Sequence, residues 1–429
     1  MMRTSASPRG CGMLVAPMRA AAAAFFFAFA FAAAAAAAPI GEEGARHLLN
    51  RTGFGATEAE VRELAPLERR EAVDRLLAGT RTQATLAPPA FVDEPFVPFY
   101  KYRQMSAEER REEQRKLVQQ GLELRTWWLR EMLATPSPLT ERMTLFWHGH
   151  FATSQRKVRI GQLMYRQNVL LRREALGNFA TLLHEIAKDP AMLVYLDNAG
   201  SRREAPNENF AREVMELFTL GEGHYAEQDI KEAARAFTGW SLDRDSGRYL
   251  YRRAWHDDGE KTVLGTTGRL DGDDVLDILL ARPQTAEFVA TKLWRELVSP
   301  TPDRAEVRRW AAVFRESRYE VKPLLRAVLT SDAFWAEENR GTLVKSPVDL
   351  VAGTLRAQGI RPMELRPAVF ACAALGQNLF SPPNVKGWPG GDAWIDASTI
   401  LGRKQFLEKV FEKDPQNLAL ALDASYQMK

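Results

Sequence analysis

The chain has 429 residues, of which 45% are hydrophobic, 58 are Lys or Arg and 55 are Asp or Glu. Arg3, Arg9 and Arg19 precede the first acidic residue, Glu42, so removal of the N-terminal segment would leave 58 − 3 = 55 basic residues against 55 acidic ones. This balance argues against nucleic-acid binding, which needs a net basic field, and the single remaining cysteine, Cys372, cannot form an intramolecular disulfide.

The N-terminal segment has the pattern of a secretory signal peptide. Three arginines precede an Ala/Phe-rich run at residues 20–38, and Ala36 and Ala38 supply small residues before Pro39. A basic start, an apolar run and a small-x-small end are typical of a cleaved signal. A retained membrane anchor is the alternative, but alanine is only weakly apolar. We therefore expect a cleaved signal peptide at residues 1–38, export to the periplasm or beyond the cell, and no membrane span in the mature chain.

Helical signals dominate the rest of the sequence, which we expect to form a single large helical domain, or two lobes, over residues 39–413, followed by a tail at 414–429. Ser106-Ala-Glu-Glu109 is a capping box that begins an amphipathic helix, and Thr135-Pro136 ends that helix. Apolar residues at helical spacing predict further helices. These lie at residues 140–147, 160–176, 208–220, 229–237, 273–280, 285–297, 305–316, 321–329, 348–357, 367–375 and 399–412.

A short central stretch departs from the helical pattern. Between Ser241 and Leu264, the turn residues Asp245-Ser-Gly247 precede the β-forming run Tyr249-Leu-Tyr251. Turn residues between short β-forming runs predict a hairpin. The predicted fold class is therefore mostly α, a multi-helix globular bundle with a small β-hairpin insertion around 241–264.

Four motifs identify a family resemblance. They are His47-Leu-Leu-Asn-Arg-Thr-Gly-Phe-Gly55, Phe146-Trp-His-Gly-His-Phe151, Pro206-Asn-Glu-Asn-Phe-Ala-Arg-Glu213 with Glu216-Leu-Phe-Thr-Leu-Gly221, and Ser381-Pro-Pro-Asn-Val-Lys-Gly-Trp-Pro-Gly-Gly391. Together they resemble the bacterial domain-of-unknown-function 1800 family, over essentially the whole mature chain. The resemblance implies an exported helical protein whose gene often lies beside one for an exported sulfatase-like protein. It implies no particular reaction.

The predicted helix 208–220 carries the first candidate site. On a regular helix Asn209, Glu213 and Glu216 form a polar stripe, and Glu213 borders the apolar face. A carboxylate in that position must be paired, bound to a metal or protonated. We take Glu213 and Glu216 as candidate catalytic residues together with Glu208 and Arg212, and Asn209 as a candidate substrate ligand; pairing of the acids with arginines from a neighbouring helix is the structural alternative.

The segment Trp147-His148-Gly149-His150 carries the second candidate site. We expect Gly149 to break the preceding helix, so that His148 and His150 point the same way in an extended segment and serve as ligands for a divalent metal such as zinc. In a continuous helix the two side chains would lie about 200° apart and could not share an ion. Hydrogen-bonded structural histidines are the alternative reading.

Two further segments supply candidate substrate-binding residues. His256 begins the polar turn 256–261, whose Asp and Gly residues are also ordinary turn formers. The Pro- and Gly-rich loop 381–391 presents Lys386 and Trp388, and an exposed Trp there could stack on a sugar ring. The alternative is a loop docked into the core with its Trp buried.

Three functions are consistent with these observations. The first is a metal- or carboxylate-dependent exported enzyme that acts on an envelope polymer. The second is a non-catalytic binding or assembly partner of the exported sulfatase-like protein, and the third is a glycan-binding scaffold that uses Trp388 and Trp394. No Gly-x-Ser-x-Gly, phosphate-loop or Cys-x-x-Cys motif is present to select a familiar reaction.

Overall fold

The structure is a computed structural model that describes residues 38–411. The predicted signal peptide lies almost entirely outside these residues, and so does the predicted tail. Within residues 38–411, no helix combines the length and the apolar character that a membrane crossing requires.

The described residues form 20 α-helices and four short strands, which confirms a mostly α fold. The first ten helices are α1 Gly41–Thr52, α2 Glu58–Leu64, α3 Arg69–Ala78, α4 Phe99–Gln104, α5 Ala107–Ala134, α6 Pro138–His150, α7 Gln155–Val158, α8 Gly161–Arg173, α9 Phe179–Ala187 and α10 Pro190–Tyr195. The remaining ten are α11 Glu208–Glu213, α12 Glu227–Ala236, α13 Gly272–Ala281, α14 Pro283–Leu297, α15 Arg304–Glu316, α16 Val321–Thr330, α17 Asp332–Trp335, α18 Pro347–Ala357, α19 Arg366–Ala374 and α20 Ala397–Phe411.

Helix caps explain why many of these boundaries follow from the sequence. The Ser106 hydroxyl accepts from the Glu109 N–H, and the Glu109 carboxylate accepts from the Ser106 N–H, so α5 begins at the predicted capping box. Ser346 and Asp349 make the same reciprocal pair at the start of α18. Each cap pairs N–H groups that the first turn of a helix cannot pair internally.

The predicted hairpin is confirmed, and a second one follows it. Strand β1, Trp240–Leu242, pairs antiparallel with β2, Tyr249–Tyr251, so that Trp240 lies opposite Tyr251. Strand β3, Lys261–Val263, pairs with β4, Thr266–Gly268, through a two-residue turn. Both turn residues, Leu264 and Gly265, have positive φ, as a tight hairpin turn requires.

The helices pack around one continuous apolar core. Helix α5 contacts α6, α8, α18 and α19, and α14, α15 and α16 pack in succession before α16 reaches α3. Inside this core the buried Arg172 guanidinium donates to both carboxylate oxygens of Glu141, at 2.6 and 2.9 Å, and the Trp128 indole donates to the same carboxylate at 2.8 Å. Three donors therefore satisfy a carboxylate that has no access to water.

The predicted helix 208–220 is not a regular α-helix. Helix α11 ends at Glu213, and Val214–Thr219 continues as a π-helix in which the Leu220 N–H donates to the Met215 carbonyl at 2.8 Å. The spacing of 100° per residue that placed Asn209, Glu213 and Glu216 on one stripe therefore does not apply beyond Glu213. Wider turns of this kind are rare and occur often near functional sites.

Candidate functional site

A cavity of about 780 Å³ lies where several of the family motifs meet. The motif at residues 47–55 lines it with the end of α1, the motif at 146–151 with the end of α6, and the motif at 381–391 with its loop. Helix α14 and the loop before α18 complete the walls. A cavity of this size is ordinary for a small-molecule site.

The end of α6 corrects the prediction of a metal-binding His pair. The helix continues through Gly149 to His150, so the expected break at Gly149 was wrong and the two imidazoles diverge. Within the described part of the chain, no group of three or more His, Cys, Asp or Glu side chains is placed to hold a metal ion. Shared coordination by His148 and His150 is therefore excluded by their geometry.

His148 is buried on the core side of α6. Its ring lies between 5.4 and 5.6 Å, centroid to centroid, from the rings of Trp128, Phe380 and Trp388. Neither ring nitrogen has a hydrogen-bond partner among the described residues. Burial lowers the pKa of His148 to about 3, so the imidazole is neutral at any ordinary pH.

His150 lies on the other side of α6 and lines the cavity. Its Nε2 is 3.1 Å from the Phe218 carbonyl oxygen, and its Nδ1 is 3.1 Å from Nζ of Lys292. A carbonyl oxygen only accepts, so Nε2 carries the proton and the Nδ1 lone pair faces the lysine. Burial lowers the pKa of His150 well below its usual range, and Lys292 adds to this effect.

Lys292, on α14, is the central basic group of the cavity. Its Nζ also donates to the Leu217 carbonyl at 3.3 Å and lies 4.8 Å from the centre of the Phe288 ring. Leu217 and Phe218 stand near the end of the π-helix, where carbonyls lack partners within the helix and carry partial negative charge. Through these two carbonyls the third family motif contacts His150 and Lys292, which line the cavity. Burial, aided by Arg295, lowers the pKa of Lys292 to about 8.

The charge of the cavity is unevenly compensated. Arg142 donates to Asp349 at 2.5 Å and to Glu296 at 3.3 Å, so two carboxylates of the cavity wall are engaged by its single positive charge. Arg51, Lys292 and Arg295 also line the cavity, and no described carboxylate lies within 4 Å of any of the three. Burial, with repulsion from Arg142, lowers the pKa of Arg51 to about 10.

The loop 381–391 is docked on α6, with Trp388 partly buried and facing the cavity. The Trp388 ring packs against His148, and Trp388 also lines the cavity beside Lys386. Gly387 has φ +88°, and a Cβ there would stand 2.3 Å from the Gly149 carbonyl oxygen. Lys386 is exposed and forms an ion pair of 3.2 Å with Glu222. Trp388 is thus part of a packed wall, and its indole Nε1 has no hydrogen-bond partner among the described residues.

The carboxylates of the third motif lie elsewhere. None of Glu208, Asn209, Arg212, Glu213 and Glu216 lines the cavity. Arg212 pairs with the Glu227 carboxylate through two bonds of 2.7 and 2.8 Å, and the Tyr225 hydroxyl donates to Glu216 at 2.5 Å.

Glu213 and Glu216 are half-buried, and no described basic group lies within 4 Å of either carboxylate. Burial raises the pKa of Glu213, and the charge of Glu216 raises it further. The structure therefore places these acids apart from the His-lined cavity, and the arginine pairing considered as their alternative role is not observed.

His256 is also remote from the cavity and fills a structural position. Its buried Nδ1 donates to the Thr238 carbonyl at 2.9 Å. In the same turn, the buried Lys261 donates to the carbonyls of Asp257, Gly259 and Leu270, which holds the second hairpin in place.

Lys292, Arg51 and Arg295 were not predicted as site residues. A signal for Lys292 was present, because it falls three residues after buried Val289 and next to buried Leu293, on the apolar stripe of α14. Arg51 lies within the first family motif, and this position was the signal by which it could have been chosen as a candidate site residue.

The family comparison covers the region that contains all four motifs. A family model described as "Protein of unknown function (DUF1800)" matches residues 47–427. No curated protein and no solved structure shows a significant match.

Proposed function

This chain belongs to the DUF1800 family, and we propose that it is an exported protein whose main cavity binds a ligand with a negatively charged group. The observation that carries the proposal is the trio of Arg51, Lys292 and Arg295, which share one cavity with no carboxylate partner among the described residues. Export rests on the signal-like N-terminal sequence.

The energetics of the trio favour an anion. The lowered pKa values of Arg51 and Lys292 express first the loss of water and then repulsion by a neighbouring cation, which is Arg142 for Arg51 and Arg295 for Lys292. A bound carboxylate, sulfate or phosphate would supply the missing negative charge. Arginine is well suited to this role because its planar guanidinium matches such groups with two parallel hydrogen bonds.

The apolar part of the wall indicates what else the ligand carries. Phe146, Trp388 and Trp394 line the same cavity as the trio. Aromatic side chains beside charged donors suit a ligand that combines a ring or chain with an acidic group. An acidic sugar from an envelope polysaccharide has both a ring and an acidic group. Such a ligand agrees with the polymer expected from the sequence and with the basic side chains of the cavity.

Calorimetric titration at fixed ionic strength tests the proposal. The probes are sodium sulfate, sodium phosphate and trigalacturonic acid, with uncharged galactotriose for comparison. We expect the acidic sugar to bind and the neutral one not to bind. Each charge-assisted hydrogen bond contributes about 1.5–3 kcal/mol, so Arg51→Gln and Arg295→Gln should each weaken binding by about tenfold to a hundredfold.

The matched control is Arg308→Gln, which removes an exposed arginine on α15 away from the cavity. It should bind the probes as the wild type does. Failure of all three anions to bind, or equal losses in the control and the cavity variants, would refute an anion-binding cavity.

A further inference from the structure

Resting on the proposed anion site, we propose that Lys292 is a reactive amine that condenses with the carbonyl group of the bound ligand. The cavity would then take a small carboxylate that also bears an aldehyde or ketone group, such as an oxo acid or the open form of an acidic sugar. The carboxylate would face Arg51 and Arg295, and the carbonyl carbon would face Nζ of Lys292.

The first argument is the set of groups around Nζ. Its two protein partners are the Nδ1 lone pair of His150 and the Leu217 carbonyl, and both are neutral acceptors. Two N–H bonds are thereby oriented into the protein wall. Since Lys292 also lines the cavity, the third substituent position of the amine is available to a ligand.

The second argument is the environment of the charge. A structural lysine this deeply placed ordinarily has a carboxylate partner, and within the described residues Lys292 has none within 4 Å. Two charged groups follow on the same helix: Arg295 repels the ammonium form, and Glu296 pairs with Arg142. A lysine that is withdrawn from water next to another cationic group is a recognised setting of an amine nucleophile.

The third argument is the fraction of free amine. With a pKa of about 8, roughly a tenth of Lys292 is uncharged at pH 7. Relative to an amine with the usual value of 10.5, which is 2.5 pH units higher, the free fraction is about 300-fold larger. A lysine that only donates to a carbonyl at the end of the π-helix would not require an increased fraction of free amine.

The reaction is a balanced condensation. The ammonium first releases a proton to water. The nitrogen lone pair then forms a bond to the carbonyl carbon, while the π pair moves to oxygen, which takes up a proton. The nitrogen then loses one proton to water, and the hydroxyl takes up a second proton and departs as water while the nitrogen lone pair forms the C=N bond. Loss of the remaining nitrogen proton gives the neutral imine, so two protons pass from nitrogen to oxygen, one water is released for each imine formed and nothing is oxidised or reduced.

Reductive trapping on the full-length protein tests the proposal. The protein is incubated at pH 7.5 with glyoxylate and cyanoborohydride, and peptide mass spectrometry follows carboxymethylation of each lysine over time. We expect Lys292 to react at least tenfold faster than the exposed Lys322 of the same chain. Lys292→Arg keeps a positive charge and should remove the fast labelling, while circular dichroism checks that the variant is folded.

A second aldehyde separates the two proposals. Propionaldehyde has a carbonyl group but no charge, so wild type should be labelled faster by glyoxylate, and Arg51→Gln should lose that preference. Fast labelling of Lys292 by both aldehydes alike would overturn the anion site and leave the reactive amine standing. Labelling of Lys292 no faster than Lys322 would overturn the reactive amine, whatever the calorimetry shows.

Discussion

The burial of His148 predicts a specific loss of stability in acid. Its folded-state pKa is about 3, whereas an unfolded histidine titrates near 6.5. Below pH 6.5 the unfolded chain therefore binds a proton on His148, whereas the folded chain does not. By linkage, the free energy of unfolding falls as the pH drops from about 6.5 to about 3.

The magnitude follows from the size of the shift. One pKa unit corresponds to 1.36 kcal/mol, and the unfolded imidazole is already half protonated at pH 6.5, so the contribution of His148 between pH 6.5 and pH 4.5 is about 2.3 kcal/mol. Many carboxylates also titrate in this range, and a comparison with His148→Phe cancels them. Phenylalanine suits the site because its neighbours are the rings of Trp128, Phe380 and Trp388, and because no hydrogen bond is lost.

Urea unfolding, followed by tryptophan fluorescence at pH 6.5, 5.5 and 4.5, measures the effect in both proteins. We expect the advantage of His148→Phe to grow by about 2–3 kcal/mol across this range. Its absolute stability at pH 6.5 is not the test, because removing unpaired nitrogens and inserting a larger ring act in opposite directions. Parallel pH profiles for the two proteins would refute the assignment of a buried neutral imidazole.

Three further predictions address the fold and the site. Glu141→Gln should lower the free energy of unfolding by about 3–5 kcal/mol, since Arg172 would keep a buried charge without its partner; a loss below about 1 kcal/mol would show that the pair is hydrated. Gly387→Ala should cost more than about 1 kcal/mol, because φ is +88° and the new Cβ would strike the Gly149 carbonyl; an unchanged melting temperature would contradict that close approach. Chelation with EDTA should leave the melting temperature unchanged, as expected where the described residues offer no metal-binding group, and a marked decrease would show that a stabilising metal is bound.

The fold could be predicted in outline because local chemistry specifies it. Apolar residues at helical spacing located most helices between residues 273 and 412 to within a residue or two of their observed bounds, and the capping box at Ser106 located the start of α5. Turn residues located the first hairpin near its true position. These signals act over a few residues, so they can be read without knowing the tertiary contacts.

The site could not be predicted as well, since it depends on contacts between distant elements. Gly149 suggested a helix end, but a glycine costs only about 1 kcal/mol within a helix, and here α6 runs on while Gly149 meets the docked loop at Gly387. The π-helix after Glu213 altered the spacing on which the acidic stripe rested. Lys292 contacts His150 and the Leu217 carbonyl of that π-helix, and no local pattern brings these three residues together.

Contacts beside the cavity join residues that are far apart in the sequence. The Arg356 guanidinium donates to the Gly55 carbonyl, 301 positions earlier, and to the Glu60 carboxylate, while Arg142 ties the Gly53 carbonyl to Asp349. During synthesis, the contacts of the first motif with Arg356 and, through Arg142, with Asp349 can therefore form only after most of the polypeptide has been made. Contacts of such long range form slowly and leave apolar surface uncovered in the meantime. A chain truncated before α18 should accordingly retain helices but lack the binding chamber, and nascent chains of this protein should depend on chaperones until their last quarter has emerged.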